Sequence, residues 1–531
     1  MRFAPYFLSA FAMILSVLML YDGHYWGGDF AQYIAQAIAL ADDNLASWSA
    51  NQAYIVDNSP LKFILAPYIY PWGTSLFLAT IYKIFGFNLI TFKMLSVLCY
   101  GIFIVMFYRF CKRFLEARFC VLATLLFALN PLFLRFCNNI GSDILFLLFS
   151  FISVIFLARL FENMQSKANL AQNGGQNDYH CLKYAILGGI FALFSYLTRT
   201  NGLVIIFTLF VMQIVLICGL DRRFARFLGA NANLKVANLN LRKILAHILP
   251  YIIFVCGVIT VNYALGVGGS GHLSVLSQIS LKNIVINVGY YICALSDFFA
   301  IPNPFFALYS DFAYAYAIPN PLNFALFLAT ILLIYRGLRI AFAKNSIATA
   351  FIALFMLGFM ALLILWPPRQ GIRFTFAIIP FLVFFGVLGL SKAKNLTRFV
   401  AIALIVAFII KDIAIISDNI ANDFKSPNTA GEAYSNEAND IYHFIANHTP
   451  KDAKIIFFKP RVLYLNTNRL AFHATTLEHF KKADFALDVR WDWIETQMIH
   501  NLIVKLKAQG ALNVVVYENK FFVLYKINPT L

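Results

Sequence analysis

Long apolar runs separated by short polar loops make up most of this chain. The runs at 3–20, 89–108, 119–135, 143–160, 184–200, 202–220, 245–266, 320–336, 347–366, 374–391 and 399–416 are continuous and do not alternate. A helix needs about 20 apolar residues to cross a bilayer, whereas a barrel strand alternates between its two faces. The pattern therefore predicts an α-helical polytopic membrane protein with about eleven spans. Lys and Arg gather in loops 109–118, 221–244, 336–346 and 392–398. Segment 21–72 instead holds Asp22, Asp29, Asp42, Asp43 and Asp57 against Lys62. The positive-inside bias assigns the basic loops to the cytoplasm and the acidic segment to the outer face. That parity holds only if 73–88, GTSLFLATIYKIFGFN, does not span. We read it as an interfacial or re-entrant helix, and 283–300 likewise. The N-terminus is then inside and the C-terminus outside.

Beyond residue 416 the pattern changes. Apolar runs shorten to KIIFF (454–458), NVVVY (513–517) and FFVLY (521–525), and helix-like polar stretches lie at 432–447 and 491–509. Glu518-Asn519-Lys520 reads as a hairpin turn. Residues 417–531 are expected to form a small α/β extracytoplasmic domain on a membrane core of residues 1–416, whose first outer loop is 21–88. The polar stretch 165–178 reads as a flexible cytoplasmic loop.

Composition supports this division. The chain is 61% hydrophobic and 13% charged, against about 25% charged in soluble domains. Its net charge of +17 follows from loop topology and does not call for nucleic acid. The eight Cys, at 99, 111, 120, 137, 181, 218, 256 and 293, form no CxxC pair, so a metal or disulfide framework finds no support. The first run lacks a basic leader and a cleavage site, and is expected to remain as an anchor.

Charges beside such a membrane need a reason. Asp29 stands in GGDFAQYIAQA at the mouth of the first span. A carboxylate there can take a proton from an acceptor or bind a metal; alternatively it caps the helix that follows. Asp143, in NNIGSDILFLL, has the same two readings, a cap shared with Ser142 or a second acid facing Asp29 across an outer cavity. Arg199 in YLTRTNG, with Arg369 and Arg373 in WPPRQGIRF, are outer-face cations suited to phosphate. Lipid headgroups or the two aspartates are their alternative partners. Lys62 is a further phosphate candidate, and His24 and Tyr33 are further candidates beside Asp29. Tyr68, Tyr70 and Trp72 read as an interfacial aromatic belt.

In order, GGDFAQYIAQA, YPWGTSLFLATIYKIFGF, LNPLFLRFCNNIGSD, YLTRTNGLVII, RQGIRFTFAIIPFL and KPRVLYLNTNRLAFH resemble the GT-C glycosyltransferases. The similarity is to the polyprenyl-phosphate-sugar branch, which includes the protein O-mannosyltransferase-like (family 39-type) and aminoarabinose-transferase-like enzymes. It implies a bacterial inner-membrane enzyme moving a hexose or pentose from a polyprenyl-phosphate donor to a lipid, glycan or protein acceptor on the periplasmic face. Asp29 would be the catalytic base of an inverting transfer and Asp143 the second acid. Arg199 and Arg373 would lie near the lipid phosphate. Some members use a divalent metal and others do not, which leaves Asp29 and Asp143 as ligands if one is present. Trp72 stands where that family usually has a second Pro, and Asp143 where Glu is frequent. A transporter or flippase of a polyprenyl-linked or polar solute is the alternative, and a non-catalytic assembly factor is a third reading. No repeated halves of the transporter kind occur.

Overall fold

The computed structural model describes residues 2–60, 67–166, 174–217, 241–266, 277, 279–299, 321–367, 369, 371–425, 432–491, 494–512 and 514–528. The chain opens with α1 (Ala4–Leu18) and three helices of the first loop, α2 (Gly28–Ala41), α3 (Leu45–Asn58) and α4 (Trp72–Phe85). Next come α5 (Leu89–Cys111), α6 (Ala117–Ala128), α7 (Pro131–Cys137), α8 (Asp143–Ser166), α9 (Gly174–Thr198) and α10 (Leu203–Ile217). The bundle continues through α11 (Leu241–Leu265), α12 (Leu281–Phe299), α13 (Pro321–Lys344), α14 (Ser346–Leu365), α15 (Ile379–Ser391) and α16 (Asn395–Lys425).

Among the described residues eight helices are long and apolar enough to cross a bilayer, and the pair α6–α7, bent by 54°, brings the number to nine. The shorter apolar helices α1 and α15 cover the remaining two expected runs. The bend has a local cause. Pro131 cannot continue the ladder of α6, and the Asn130 side chain accepts from Leu132 N–H at 3.1 Å to restart the helix. Stretches 73–88 and 283–300 form α4 and α12, neither of which is among the eight. Of the polar stretch 165–178, residues 165–166 end α8 and 174–178 are helical. Helix α9 reaches back to Gly174, and 167–173 lie outside the described residues.

Helix α8 links the two ends of the bundle. From Asp143 to Glu162 it rises about 28 Å, close to a bilayer's hydrocarbon thickness. At its far end Glu162 pairs with Arg113, whose carbonyl accepts from Lys344 Nζ at 2.7 Å. Arg336 donates to the carbonyl of Lys392. Three of the basic loops thus meet at the end opposite Asp143.

The C-terminal segment adds α17 (Asn436–His448), β1 (Lys454–Ile456), α18 (Pro460–Thr467), β2 (Leu470–Phe472), β3 (Phe485–Val489), α19 (Ile494–Ala508), β4 (Val514–Glu518) and β5 (Phe522–Lys526). The sheet order is β2-β1-β3-β5-β4, with β1 parallel to β2 and β3, and β5 antiparallel to β3 and β4. The predicted hairpin is present, closed by Asn519 N–H donating to Phe522 O at 2.9 Å. Two strands escaped the sequence reading. β2 has three residues, and β3 (FALDV) is buried on both faces and so does not alternate.

The sheet shares its core with the first loop. Trp26, two residues before α2, packs against Phe458 at 5.0 Å, Phe457 at 5.8 Å and Trp491 at 5.9 Å between ring centroids. Within the bundle α13 and α15 cross with their backbones in close approach. A Cβ on Gly337 would overlap the carbonyl of Phe385, and one on Gly389 the carbonyl of Leu333. Small residues here let the backbones touch. Gly337→Ala is expected to destabilise the protein by about 1–3 kcal/mol, seen as a lower thermal transition in detergent. An unchanged transition would contradict this packing.

Candidate active site

Four segments distant in sequence bring their charges to one end of the bundle. Asp29 lies in the first turn of α2, whose N-cap is Gly27, and its side chain makes no capping bond. The cap reading is thereby corrected, although a carboxylate in a first turn still suits the helix dipole. Asp143 opens α8, Arg199 follows the last turn of α9, and Arg373 sits in a 3-10 turn, Ile372–Thr375, between α14 and α15.

Arg199 pairs with Asp143 and lies over the Phe374 ring at 4.0 Å. Arg373 reaches both acids, with Nη1 3.8 Å from Asp29 Oδ2 and 3.9 Å from Asp143 Oδ2. Its turn needs Gly371, whose φ of 77° is a left-handed conformation that other residues rarely adopt. Gly371 N–H donates to the Tyr290 hydroxyl of α12 at 2.8 Å. Exposure separates the two aspartates. The Asp143 side chain is 9% exposed and enclosed by guanidinium groups, whereas that of Asp29 is 52% exposed. Asp29 is the acid that a second molecule can reach.

The pKa of Asp29 follows from its surroundings. Withdrawal from bulk water pushes it up. Arg373, a hydrogen bond from Tyr70, Arg461 and Arg199 together outweigh that and hold it below the usual carboxylate value. The Tyr70 hydroxyl donates to Asp29 Oδ1 at 2.8 Å. It is itself placed by Gln36 of α2, which bonds both the backbone N–H and C=O of Tyr70 at 3.0 Å. Burial is the main cause that raises the Tyr70 pKa, so this hydroxyl stays a donor.

The other sequence candidates fall in different places. Tyr33 is buried, its ring edge-on to Tyr70 at 5.1 Å. Burial, with Asp29 next, pushes its pKa up to about 12. His24 is buried in packing, stacked on Phe30 at 3.9 Å. Its Nε2 accepts from Ile140 N–H at 3.3 Å, which leaves Nδ1 to donate to the Tyr25 carbonyl at 3.0 Å. Burial first and Lys93 second lower its pKa to about 3, so it is a neutral bracket between two loops. Arg369 is half-buried before the 3-10 turn and joins none of these bonds. Lys62 lies outside the described residues.

Sequence reasoning missed Tyr70 and Arg461. Tyr70 and Trp72 were expected in an aromatic belt. Tyr70 instead turns onto Asp29, and Trp72 is buried and donates to the Gly266 carbonyl at 3.2 Å. Their spacing to Gln36 carried no signal, because the contact is tertiary. The donor set does not suggest a metal cage. A guanidinium already bridges the two carboxylates, and the described residues contain no group of three His, Cys, Asp or Glu suited to a metal ion. Asp29, Asp143, Arg199, Arg373 and Arg461 sum to one net positive charge, which favours an anionic ligand.

The architecture matches known structures along nearly its whole length. Residues 69–172 match the family model of dolichyl-phosphate-mannose-protein mannosyltransferase. ArnT from Cupriavidus metallidurans, solved bound to undecaprenyl phosphate, aligns with a TM-score of 0.55 at 12% identity, covering 98% of this chain and 97% of that one. The fold is that of the GT-C glycosyltransferases. The archaeal oligosaccharyltransferase AglB from Archaeoglobus fulgidus, in complex with an inhibitory peptide and a dolichol-phosphate, shares this GT-C fold. It aligns with a TM-score of 0.53 at 12% identity, covering 92% of this chain and 69% of that one. None of the curated proteins matches in sequence. At these identities the likeness is one of GT-C fold, and the family match spans Tyr70 and Asp143 but not Asp29, Arg373 or Arg461.

Truncating one member of a buried ion pair leaves the other uncompensated. Arg199→Met is expected to cost about 3 kcal/mol, the low end of the usual range because Arg373 stays near Asp143. Denaturation in detergent measures this, and Arg199→Met with Asp143→Leu should recover most of the loss. No recovery in the double variant would refute the pairing.

Proposed function

We propose that the protein transfers a sugar from a polyprenyl-phosphate donor to a lipid, glycan or protein acceptor, with Asp29 as the base. The observation that carries this is the half-exposed Asp29 carboxylate beside Arg373, in a GT-C fold, at the end away from three of the basic loops. In this reading the bundle lies in a bacterial inner membrane with the site on the periplasmic side. Residues 1–416 form the transferase core and 417–531 the periplasmic domain.

The chemistry is a single displacement. Asp29 Oδ2 accepts the proton of an acceptor O–H, and the acceptor oxygen attacks the anomeric carbon opposite the phosphate. The bond from that carbon to the phosphate oxygen breaks with its electron pair, and polyprenyl phosphate leaves. The anomeric configuration inverts. Arg373, reached by both carboxylates but held tightly by neither, stabilises the charge growing on the phosphate. Arg199, committed to Asp143, fixes the second acid and through it the position of Arg373. A transporter would gather its polar residues near the bilayer midplane, whereas these charges share one end of the bundle.

Asp29→Asn is expected to lower transfer by at least about 10²-fold while the protein still folds. Glycan mass profiling of a deletion strain carrying the variant reads this, and wild-type glycan levels would remove Asp29 as the base. The pH dependence has a definite sign. Because its neighbours depress the Asp29 pKa, activity should persist through mildly acidic pH and fall only below the ordinary carboxylate range. Arg373→Met removes the largest depressing charge, so the acid limb of the pH profile should move upward.

A further inference from the structure

We infer that Arg461, carried by the C-terminal sheet domain, is a positioning residue for Asp29, acting through the Tyr70 hydroxyl, so that the sheet domain completes the base. This rests on the reading of Asp29 as the base.

The contacts form a directed chain. Arg461 is buried on α18, in the first turn after Pro460. Its Nη1 donates to the Tyr70 hydroxyl at 2.8 Å, its Nη2 donates to the Pro67 carbonyl at 3.0 Å, and its guanidinium carbon lies 4.9 Å from the Tyr70 ring centroid. Tyr70 in turn donates to Asp29 Oδ1 at 2.8 Å. A cation on the accepting side of a hydroxyl polarises it and strengthens the bond it gives. Oδ1 is thus occupied, and Oδ2, facing Arg373, is the oxygen left for the acceptor proton. A guanidinium is costly to bury unless its donors are matched, and an apolar residue would fill the same place without acting on Tyr70.

The rest of α18 fixes this geometry. The Tyr464 hydroxyl accepts from Asn51 of α3 at 3.0 Å, and its ring joins Trp48, Ile55 and Trp72 in one apolar cluster. His473 N–H, just after β2, donates to Ser59 Oγ at 3.2 Å. Among the described residues, the charged and titratable groups around Asp29 include Arg373 from the 3-10 turn, Arg199 after α9 and Asp143 of α8. Tyr33 of α2, His24 of the first loop, and the Tyr70–Arg461 pair join them. Arg461 is the member contributed by the sheet domain.

Tyr70→Phe, Arg461→Met, the double variant and Arg461→Lys test this in the full-length protein in detergent. Two readouts are needed. One is the titration of Asp29 by infrared difference spectroscopy, its band assigned by loss in Asp29→Asn. The other is the glycan mass profile of a deletion strain carrying each variant. Undecaprenyl phosphate binding serves as the fold control. Both single variants should raise the Asp29 midpoint and lower the glycan by roughly tenfold or more. The double variant should add nothing beyond Tyr70→Phe, because one path carries both effects. Arg461→Lys should recover part of the titration shift. A wild-type Asp29 midpoint in Tyr70→Phe and Arg461→Met, or fully additive losses, overturns the proposal. If Arg461→Met no longer binds undecaprenyl phosphate, Tyr70→Phe, which keeps the ring, decides alone. Wild-type glycan in Asp29→Asn is a separate failure, that of the base itself.

Discussion

Two carboxylates converge at the end of the bundle, and Arg373 stands between them at 3.8 and 3.9 Å. Without a cation in that position the acids would repel and one would take up a proton. The arrangement therefore depends on where Arg373 is held. Its turn is set by Gly371, whose N–H is fixed by Tyr290. Asn287, also on α12, donates to the carbonyls of Ile364 and Trp366 and so holds the end of α14 just before that turn. Helix α12 thus anchors the cation on which both acids rely.

The same constraint divides the labour between the aspartates. Asp143 arrives on a helix buried in the bundle and is neutralised by Arg199 as well as Arg373. Asp29 arrives on a loop helix, meets one guanidinium at a distance, and takes its direct hydrogen bond from a phenol. A carboxylate buried between two guanidinium groups is closed to a second molecule. A half-exposed one, hydrogen-bonded through one oxygen, leaves the other within reach of such a molecule.

Much of this was legible because charge is rare beside a membrane. Asp29, Asp143, Arg199 and Arg373 stand out against apolar runs, and each of the four reaches the site. The spans were equally plain, since their length and continuity survive without tertiary knowledge. Tyr70 and Arg461 were hidden for the opposite reason. An aromatic at the edge of a span is ordinary, and so is an arginine in a polar domain; only the approach of α18 to the first loop gives them meaning. His24 misled because a histidine beside an aspartate suggests acid–base work, while its two ring nitrogens are spent on backbone groups. The strands β2 and β3 were lost through shortness and two-sided burial.

The sheet's attachment explains how a loop residue is held in place. Lipid offers no water to satisfy polar groups, so the bundle orders Asp143 simply by burying and pairing it. The first loop lacks that compulsion. Its order comes from Trp26 seated among Phe457, Phe458 and Trp491, from Gln36 bonded to both backbone groups of Tyr70, and from Lys93 donating to the carbonyls of Tyr21 and Gly23 at 2.7 Å. Lys93 belongs to α5 of the bundle, and the Trp26 pocket belongs to the sheet. Asp29 is therefore held from the membrane side and from the domain side at once. A site at the boundary of two solvents needs both anchors, because neither environment alone orders a half-exposed carboxylate next to a cation shared with a second acid.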